Sequence, residues 1–270
     1  MTDHNAGIRL DAALPERGLA RSRTHAATLV AEGLVTVNGK AILKASTKVF
    51  PSQRIEVAGA DHYVSRAAHK LIAALDAFAV TVEGATVLDA GASTGGFSQV
   101  LLERAAGKVL AVDVGHGQLA PELLNDERLT LVEGYNVRYM TAASLAAASR
   151  WEARPSVVVA DLSFISLITV LPAFVETAAD GADFVLLIKP QFEVGRTGIR
   201  EGLVKNPGLR AEAVNAVLWA AHDLGLRTAG LVPSPIAGGS GNQEYLVWFS
   251  TTQGSDPSEW IDRVTAMTGA

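Results

Sequence analysis

The sequence predicts an α/β protein: a Rossmann-like, mostly parallel sheet with an antiparallel last strand, behind a small N-terminal α+β module. Three observations point there. From about residue 66, short apolar strands alternate with helical stretches, the pattern of a parallel sheet. The first strand runs straight into a glycine-rich turn and then a helix, "VLDAGASTGGF". Before residue 60 the pattern differs, and so does the charge. Residues 1–60 carry +3 and residues 61–270 carry −8, within a net charge of −5.

The N-terminal module, residues 1–59, reads as two helices and a small sheet. Leu10, Ala13 and Leu14 make one helical face. Ser22 can cap a second helix carrying Ala26, Leu29 and Val30, stopped near Gly33. "LVTVNG" alternates like a strand, and its Asn38-Gly39 pair signals a tight hairpin. "RIEV" closes the module. Residues 60–64, within "AGADHYVS", read as a short linker, and residues 65–270 as the second domain.

In that domain, strands are expected at 86–91, 108–114, 129–134, 156–162, 184–190, 228–233 and 244–250. The clearest helix begins at the N-cap Asn206 with Pro207 in its first turn and stops at Gly225. A helix over 166–178 contains Pro172, which predicts a kink or a late start. Only "SPIAGGSGNQ" joins the last two strands. That is too short for a crossover, so the final strand should run antiparallel.

Composition bounds the function. With 49% hydrophobic residues, the 270-residue chain can bury a sizeable core. The absence of cysteine excludes disulfides, cysteine zinc sites and a cysteine nucleophile. Mean hydropathy is +0.23, yet no apolar run approaches the ~18 residues of a membrane span. The polar N-terminus does not read as a signal peptide, so a cytoplasmic protein without stable membrane association is expected. A basic module on an acidic domain fits a nucleic-acid-facing attachment.

The glycine turn and a second acid suggest a cofactor. The spacing is G-x-x-x-G-G rather than the G-x-G-x-x-G of dinucleotide binders. Asp89, just before the turn, suits a cationic amino group better than a pyrophosphate. Asp113, ending the next strand, can accept both hydroxyls of a ribose. Together these read as an S-adenosylmethionine site, the alternative being a tight turn with no ligand. The candidate cofactor-binding residues are Asp89, Gly91, Ser93, Thr94, Gly95, Gly96, Phe97, Asp113, Asn136 and Asp161.

Ligands of open parallel sheets bind beyond the carboxyl ends of the strands. Asp161 and Lys189 end two strands there, Glu244 opens the antiparallel strand at the same edge, and Lys70 lies on the helix before the first strand. Two lysines and two carboxylates could converge on one rim. Such a group suits deprotonation of a sugar hydroxyl by a neutral lysine. Burial and a second positive charge lower a lysine's pKa, while the carboxylates raise it again, and the sequence leaves that balance open. Lys70 as an exposed helix lysine, Asp161 as a strand-end cap and Glu244 as a rim charge are the plain alternatives. A lysine at the end of "FVLLIK" is harder to dismiss, because it is costly there unless paired. The fourth strand ends in "DLSF", not the Asp/Asn-Pro-Pro-aromatic pattern of base-amine methylation, which favours oxygen as the acceptor.

Residues 1–59 resemble the ribosomal-protein S-four-like RNA-binding domain through "RLDAAL", "GLARSRTHA", "LVAEGLVTVNGKAILK" and "RIEV". Residues 65–250 resemble the FtsJ-like ribose methyltransferases through "SRAAHKL", "LDAGASTGGF", "AVDVGHGQL", "ADLSFISL", "LIKPQFEVG" and "NQEYLVWF". The combination is similar to the TlyA family, known both as haemolysins and as rRNA 2′-O-methyltransferases. That resemblance implies a catalytic Lys-Asp-Lys-Glu tetrad at Lys70, Asp161, Lys189 and Glu244. It implies S-adenosylmethionine-dependent methylation of a cytidine ribose in 16S or 23S rRNA, with ribosomal RNA or ribosomal subunits as partners. It also implies that such methylation affects sensitivity to tuberactinomycin antibiotics. Arg9, Arg21, Arg23, Lys40, Lys44 and Arg66 are the RNA-binding candidates, placed to hold phosphates. An acidic domain that meets RNA needs a basic rim, expected at Arg66, Lys70, Arg196 and Arg200. A membrane-active haemolysin and an inactive RNA-binding scaffold are the competing functions.

Overall fold

The computed structural model describes residues 7–20, 22–31, 33–57, 62–195, 198–199, 202–238 and 241–270. The chain forms two compact units, Met1–Tyr63 and Val64–Ala270. Residues 60 and 61 of the expected linker lie outside the described residues.

In the first unit, β1 (Ile8–Arg9) leads into α1 (Leu10–Glu16) and then α2 (Arg23–Ala31). As expected, Ser22 Oγ accepts the His25 N–H at 3.1 Å near the start of α2. Strands β2 (Val35–Val37), β3 (Lys40–Ala41), β4 (Lys48–Val49) and β5 (Ile55–Val57) follow. Asn38 and Gly39 both have positive φ, 50° and 77°, and join β2 to β3 as a two-residue hairpin. β5 pairs with the other edge of β2, while β4 pairs with β1. Leu10, Leu14, Ala26, Val30, Val35 and Val49 are fully buried and form this unit's own core.

The second unit opens with α3 (Ala68–Phe78), β6 (Thr86–Ala90), α4 (Gly96–Glu103), β7 (Lys108–Val112) and β8 (Leu129–Val132). It continues through α5 (Ala142–Ser149), β9 (Val157–Ala160), α6 (Leu167–Thr177) and β10 (Asp183–Ile188). It ends with α7 (Pro190–Glu193), α8 (Pro207–Asp223), β11 (Arg227–Pro233), β12 (Tyr245–Ser250) and α9 (Ile261–Thr268). The strands form one seven-stranded sheet in the order β11-β12-β10-β9-β6-β7-β8. β8, β7, β6, β9 and β10 run parallel, and β12 lies antiparallel between β10 and β11. The expected antiparallel final strand is present.

The central strands are apolar because both their faces are covered. "VVVA" of β9 is buried at every position, and "FVLLI" of β10 likewise. α8 starts as the sequence predicts: Asn206 Oδ1 accepts the Gly208 N–H at 2.8 Å, and Pro207 occupies the first turn. Two expectations need correction. Pro172 does not delay α6, which runs unbroken from Leu167 with Ser166 as its N-cap. Packing of Leu167, Val170, Leu171 and Phe174 in the core outweighs the one backbone hydrogen bond that proline removes. The strand expected to run to Pro190 ends at Ile188, and Pro190 is the first residue of α7, where its missing N–H costs nothing.

Candidate active site

The site lies at the carboxyl edge of the parallel strands, built by the segments that leave β6, β7, β9 and β10. After β6 the chain turns through Gly91 and Gly95, with φ of 82° and 95°, into α4. Both positive angles suit glycine, and both turns are packed against protein. A methyl group at Gly91 would press on Leu162 and the Asp161 carbonyl, and one at Gly95 would collide with Leu119 and Leu123. The glycines thus let the turn settle onto neighbouring loops.

Two cavities adjoin this turn. A larger one, about 470 Å³, is lined by Val112, Asp113, Asn136, Val137, Leu162 and Ile165 among others. A smaller one, about 180 Å³, is lined by Thr94, Gly96, Phe97, Ser65 and Lys189 among others. Gly91, Ser93, Asp161 and Ser163 line both. Asp113 is held by two backbone amides: Oδ2 accepts the Ser93 N–H at 2.8 Å and Oδ1 the Gly115 N–H at 2.7 Å. Each oxygen keeps a lone pair for a further donor.

Asp161, which lines both cavities, belongs to a cluster of four side chains brought together from four parts of the chain. Lys70 comes from α3, Asp161 follows β9, Lys189 follows β10, and Glu244 precedes β12. Lys70 Nζ donates to Glu244 Oε2 at 2.8 Å and to Asp161 Oδ2 at 3.2 Å. Lys189 Nζ lies 2.6 Å from Asp161 Oδ1 and donates to Ser163 Oγ at 3.1 Å. Asp161 therefore bridges the two lysine nitrogens. Lys70, Lys189 and Glu244 are buried, so each charge is compensated inside the protein rather than by water. Lys189 lines the smaller cavity; Lys70 lines neither.

Residues that sequence reading overlooked complete the surroundings. α7 carries Gln191, whose Nε2 donates to Glu244 Oε1 at 3.4 Å, and Phe192, whose ring centre lies 5.9 Å from Lys189 Nζ. Glu193, also on α7, accepts from Ser166 Oγ at 2.5 Å and from the Leu167 N–H at 2.8 Å. It thereby ties the segment after Lys189 to the loop after Asp161. Burial pushes its pKa up, and the hydrogen bonds it accepts from Ser166, Leu167 and Ile168 oppose that. Phe164 lines the larger cavity and is 92% exposed with φ of 66°, a strained angle for an aromatic residue. The "KPQFE" run, with proline poised to start a helix, was the available signal for α7. Nothing in the sequence marks Phe164 as exposed.

Of the expected cofactor residues, Gly91, Ser93, Thr94, Gly96, Phe97, Asp113, Asn136 and Asp161 line the cavities. Gly95 and Asp89 do not. Asp89 is buried beneath the turn, where Oδ2 accepts from Ser98 Oγ at 2.6 Å and Oδ1 has no partner. Burial pushes its carboxyl up to about 7. The expected basic rim also changes. Lys70 is a buried member of the tetrad rather than a rim charge, Arg66 is exposed, and Arg196 and Arg200 lie outside the described residues.

In the first unit, Lys40 and Lys44 are exposed, and Arg21 lies outside the described residues. Arg9 forms a two-pronged pair with Asp11, at 3.0 Å through Nε and 2.7 Å through Nη2, and Arg23 lies 3.5 Å from the same carboxylate. These bonds hold the Asp11 carboxyl below its usual range. Both arginines keep half or more of their side chains exposed, oriented by a buried anchor.

Residues 63–251 match the model of the FtsJ-like methyltransferases, and residues 8–55 that of the S4 domain. A 16S/23S rRNA (cytidine-2′-O)-methyltransferase TlyA of Mycobacterium tuberculosis is 48% identical over 246 residues, 90% of each chain. Hemolysin A of Brachyspira hyodysenteriae is 37% identical over 90% of this chain and 99% of its own. A solved structure of a Streptococcus thermophilus protein named a hemolysin superposes with a TM-score of 0.77 at 37% identity. It covers 97% of this chain and 96% of that one.

Proposed function

The chain belongs to the FtsJ-like methyltransferase family, in its TlyA branch, and from that premise we propose that it methylates the ribose 2′-oxygen of a cytidine in ribosomal RNA, using S-adenosylmethionine. The observation that carries the chemistry is the position of Lys189, the tetrad lysine that reaches the cavity.

The cavities fit the cofactor. Val112, Val137, Leu162 and Ile165 offer apolar walls to an adenine ring. The remaining lone pairs of Asp113 suit ribose hydroxyls, and Asp161 sets a negative charge where the cavities join. When bound, S-adenosylmethionine supplies an electrophilic methyl group on a positively charged sulfur.

The chain's own residues then handle a proton. The 2′-hydroxyl must lose one as its oxygen takes the methyl group. Lys189, in its neutral form, accepts it. With Lys70 charged and Asp161 and Glu244 ionised, the tetrad carries −1 before that transfer and zero after it. Proton arrival therefore neutralises the site, and Asp161, 2.6 Å away, stabilises the ammonium that forms. Lys70 acts as the anchor that keeps two carboxylates together in a buried place. Phe164 offers a flat apolar face beside the cavity, on which the target base can stack.

Arg9, Arg23, Lys40 and Lys44 of the S4 unit, with Arg66, are the proposed phosphate contacts. A ribosomal RNA substrate places the enzyme in the cytoplasm, and loss of its methyl mark alters the response to ribosome-binding tuberactinomycins. Some relatives carry the name hemolysin. Among the described residues no helix is long and apolar enough to cross a membrane.

The test is incubation with labelled S-adenosylmethionine and purified small or large ribosomal subunits, followed by mapping of ribose methylation. Label should enter a cytidine 2′-oxygen. Lys189→Ala should lose about 10²–10⁴-fold in rate while still binding the cofactor in calorimetry. Full activity in that variant would refute the assigned chemistry.

A further inference from the structure

Successive residues of an extended chain point to opposite faces. Glu244 meets Lys70 on one side, and Tyr245 enters the core beneath α8 on the other. On Tyr245's side lies a separate cavity of about 430 Å³, lined by Leu203, Val204, Lys205, Arg210, Tyr245 and Met267 among others. It shares no residue with the two cavities of the active site.

Two of its lining side chains, which lie beside each other, carry buried polar atoms without a well-formed hydrogen bond. Tyr245 is wholly buried, and its hydroxyl has no hydrogen-bond partner. Arg210 Nε is buried and equally unpartnered. The rest of that guanidinium donates only to neutral backbone carbonyls: Val204 at 3.2 Å, Lys205 at 3.1 Å and Thr268 at 2.7 Å. Among the described residues no carboxylate pairs with Arg210. Burial pushes the Tyr245 phenol above its usual range against the opposing pull of the neighbouring Arg210 guanidinium, so it keeps its proton and remains a donor.

An unsatisfied buried donor is costly, and the half-buried Arg210 guanidinium has no carboxylate to offset its charge. Here both kinds of deficit open on one cavity. Arg210 also sits in the first turn of the 17-residue α8, whose N-terminus adds partial positive charge. The lining holds no Asp or Glu, which disfavours a cation, and an apolar ligand would leave both donors unsatisfied. Asn242 is already committed to Val204 N–H and the Gly202 carbonyl.

We infer that this cavity is an oxyanion site for a phosphate-class group, gripped by Arg210 Nε and the Tyr245 hydroxyl. The group is either a phosphodiester of bound RNA or a small free phosphate. The site does not depend on the methyl-transfer reading. It borders the tetrad through the backbone, because Gln243 and Tyr245 flank Glu244.

The experiment measures binding of inorganic phosphate and of a short single-stranded RNA to the full chain by calorimetry, at constant ionic strength. Wild type, Tyr245→Phe and Arg210→Lys are compared, with thermal unfolding in chloride as the folding control. Loss of one hydrogen bond to a charged group should weaken the relevant ligand about tenfold in Tyr245→Phe. Its melting temperature in chloride should match or exceed wild type, since an unsatisfied hydroxyl is gone. Arg210→Lys should weaken the same ligand. Weakening confined to inorganic phosphate identifies a small anion; weakening confined to RNA identifies a phosphodiester. Equal affinity of all three proteins for both ligands, or binding of neither ligand by wild type, overturns the inference.

Discussion

Lys70 and Glu244, 174 positions apart in the chain, meet at 2.8 Å with both side chains buried. Removing Glu244 leaves the buried Lys70 with only Asp161, at 3.2 Å and shared with Lys189. Glu244→Ala should therefore destabilise the fold by about 3–5 kcal/mol, measured by urea unfolding. Replacing both, as Lys70→Met with Glu244→Leu, should recover most of that loss while activity stays low. A double variant no more stable than Glu244→Ala would show that the pair's burial is not what sets the cost.

Phe164 should separate stability from function. Its φ of 66° is unfavourable for a side chain with Cβ, and its ring is 92% exposed. Phe164→Gly should stabilise the protein by about 1 kcal/mol. Methyl transfer should fall, through a weaker hold on the target base worth about 1–3 kcal/mol. Unchanged kinetics in this variant would remove Phe164 from the substrate contacts.

Asp89 should make stability pH-dependent in an unusual direction. Its folded carboxyl titrates near 7, above the usual 3.8, because burial disfavours the charge. A raised acid contributes stability that is complete below about pH 4 and lost as pH climbs through about 7. Asp89→Asn, which cannot ionise, should gain on wild type across that window by an amount on the order of a few kcal/mol. Unfolding free energies of the two proteins at pH 5 and pH 8 check this; an unchanged difference would contradict it.

Glu193 should behave as a positioning residue. It spans from α7, directly after Lys189, to Ser166 and Leu167 at the head of α6. Glu193→Ala frees both segments, so kcat should fall about tenfold or more with little change in cofactor affinity. Glu193→Gln, which can still accept one hydrogen bond, should recover part of the rate. Equal rates in both variants and wild type would leave the residue a purely local cap.

Much of the fold was legible in local chemistry. Apolar runs such as "VVVA" and "FVLLI" announced central strands because both faces of those strands are covered. Asn38-Gly39 and Asn206-Pro207 announced a hairpin and a helix start because their preferences act within a few residues. Pro172 misled for the opposite reason: its local penalty is outweighed by core contacts from the rest of α6. Gly95 needs its glycine for a reason local chemistry does not show: Leu119 and Leu123 pack where a side chain would stand.

The sequence by itself determined the strand order's raw material, the positions of the four charged residues at strand ends and helix starts, and the family those motifs resemble. Only the tertiary structure decided how those charges divide the work. It made Asp161 a bridge between two lysines, turned Lys189 toward the cavity and sank Lys70 behind it. It also left Phe164 in the open and the Tyr245 hydroxyl without a partner. Burial and pairing are properties of residues far apart in the chain, brought together by packing, and no local pattern of amino acids encodes which atom faces which.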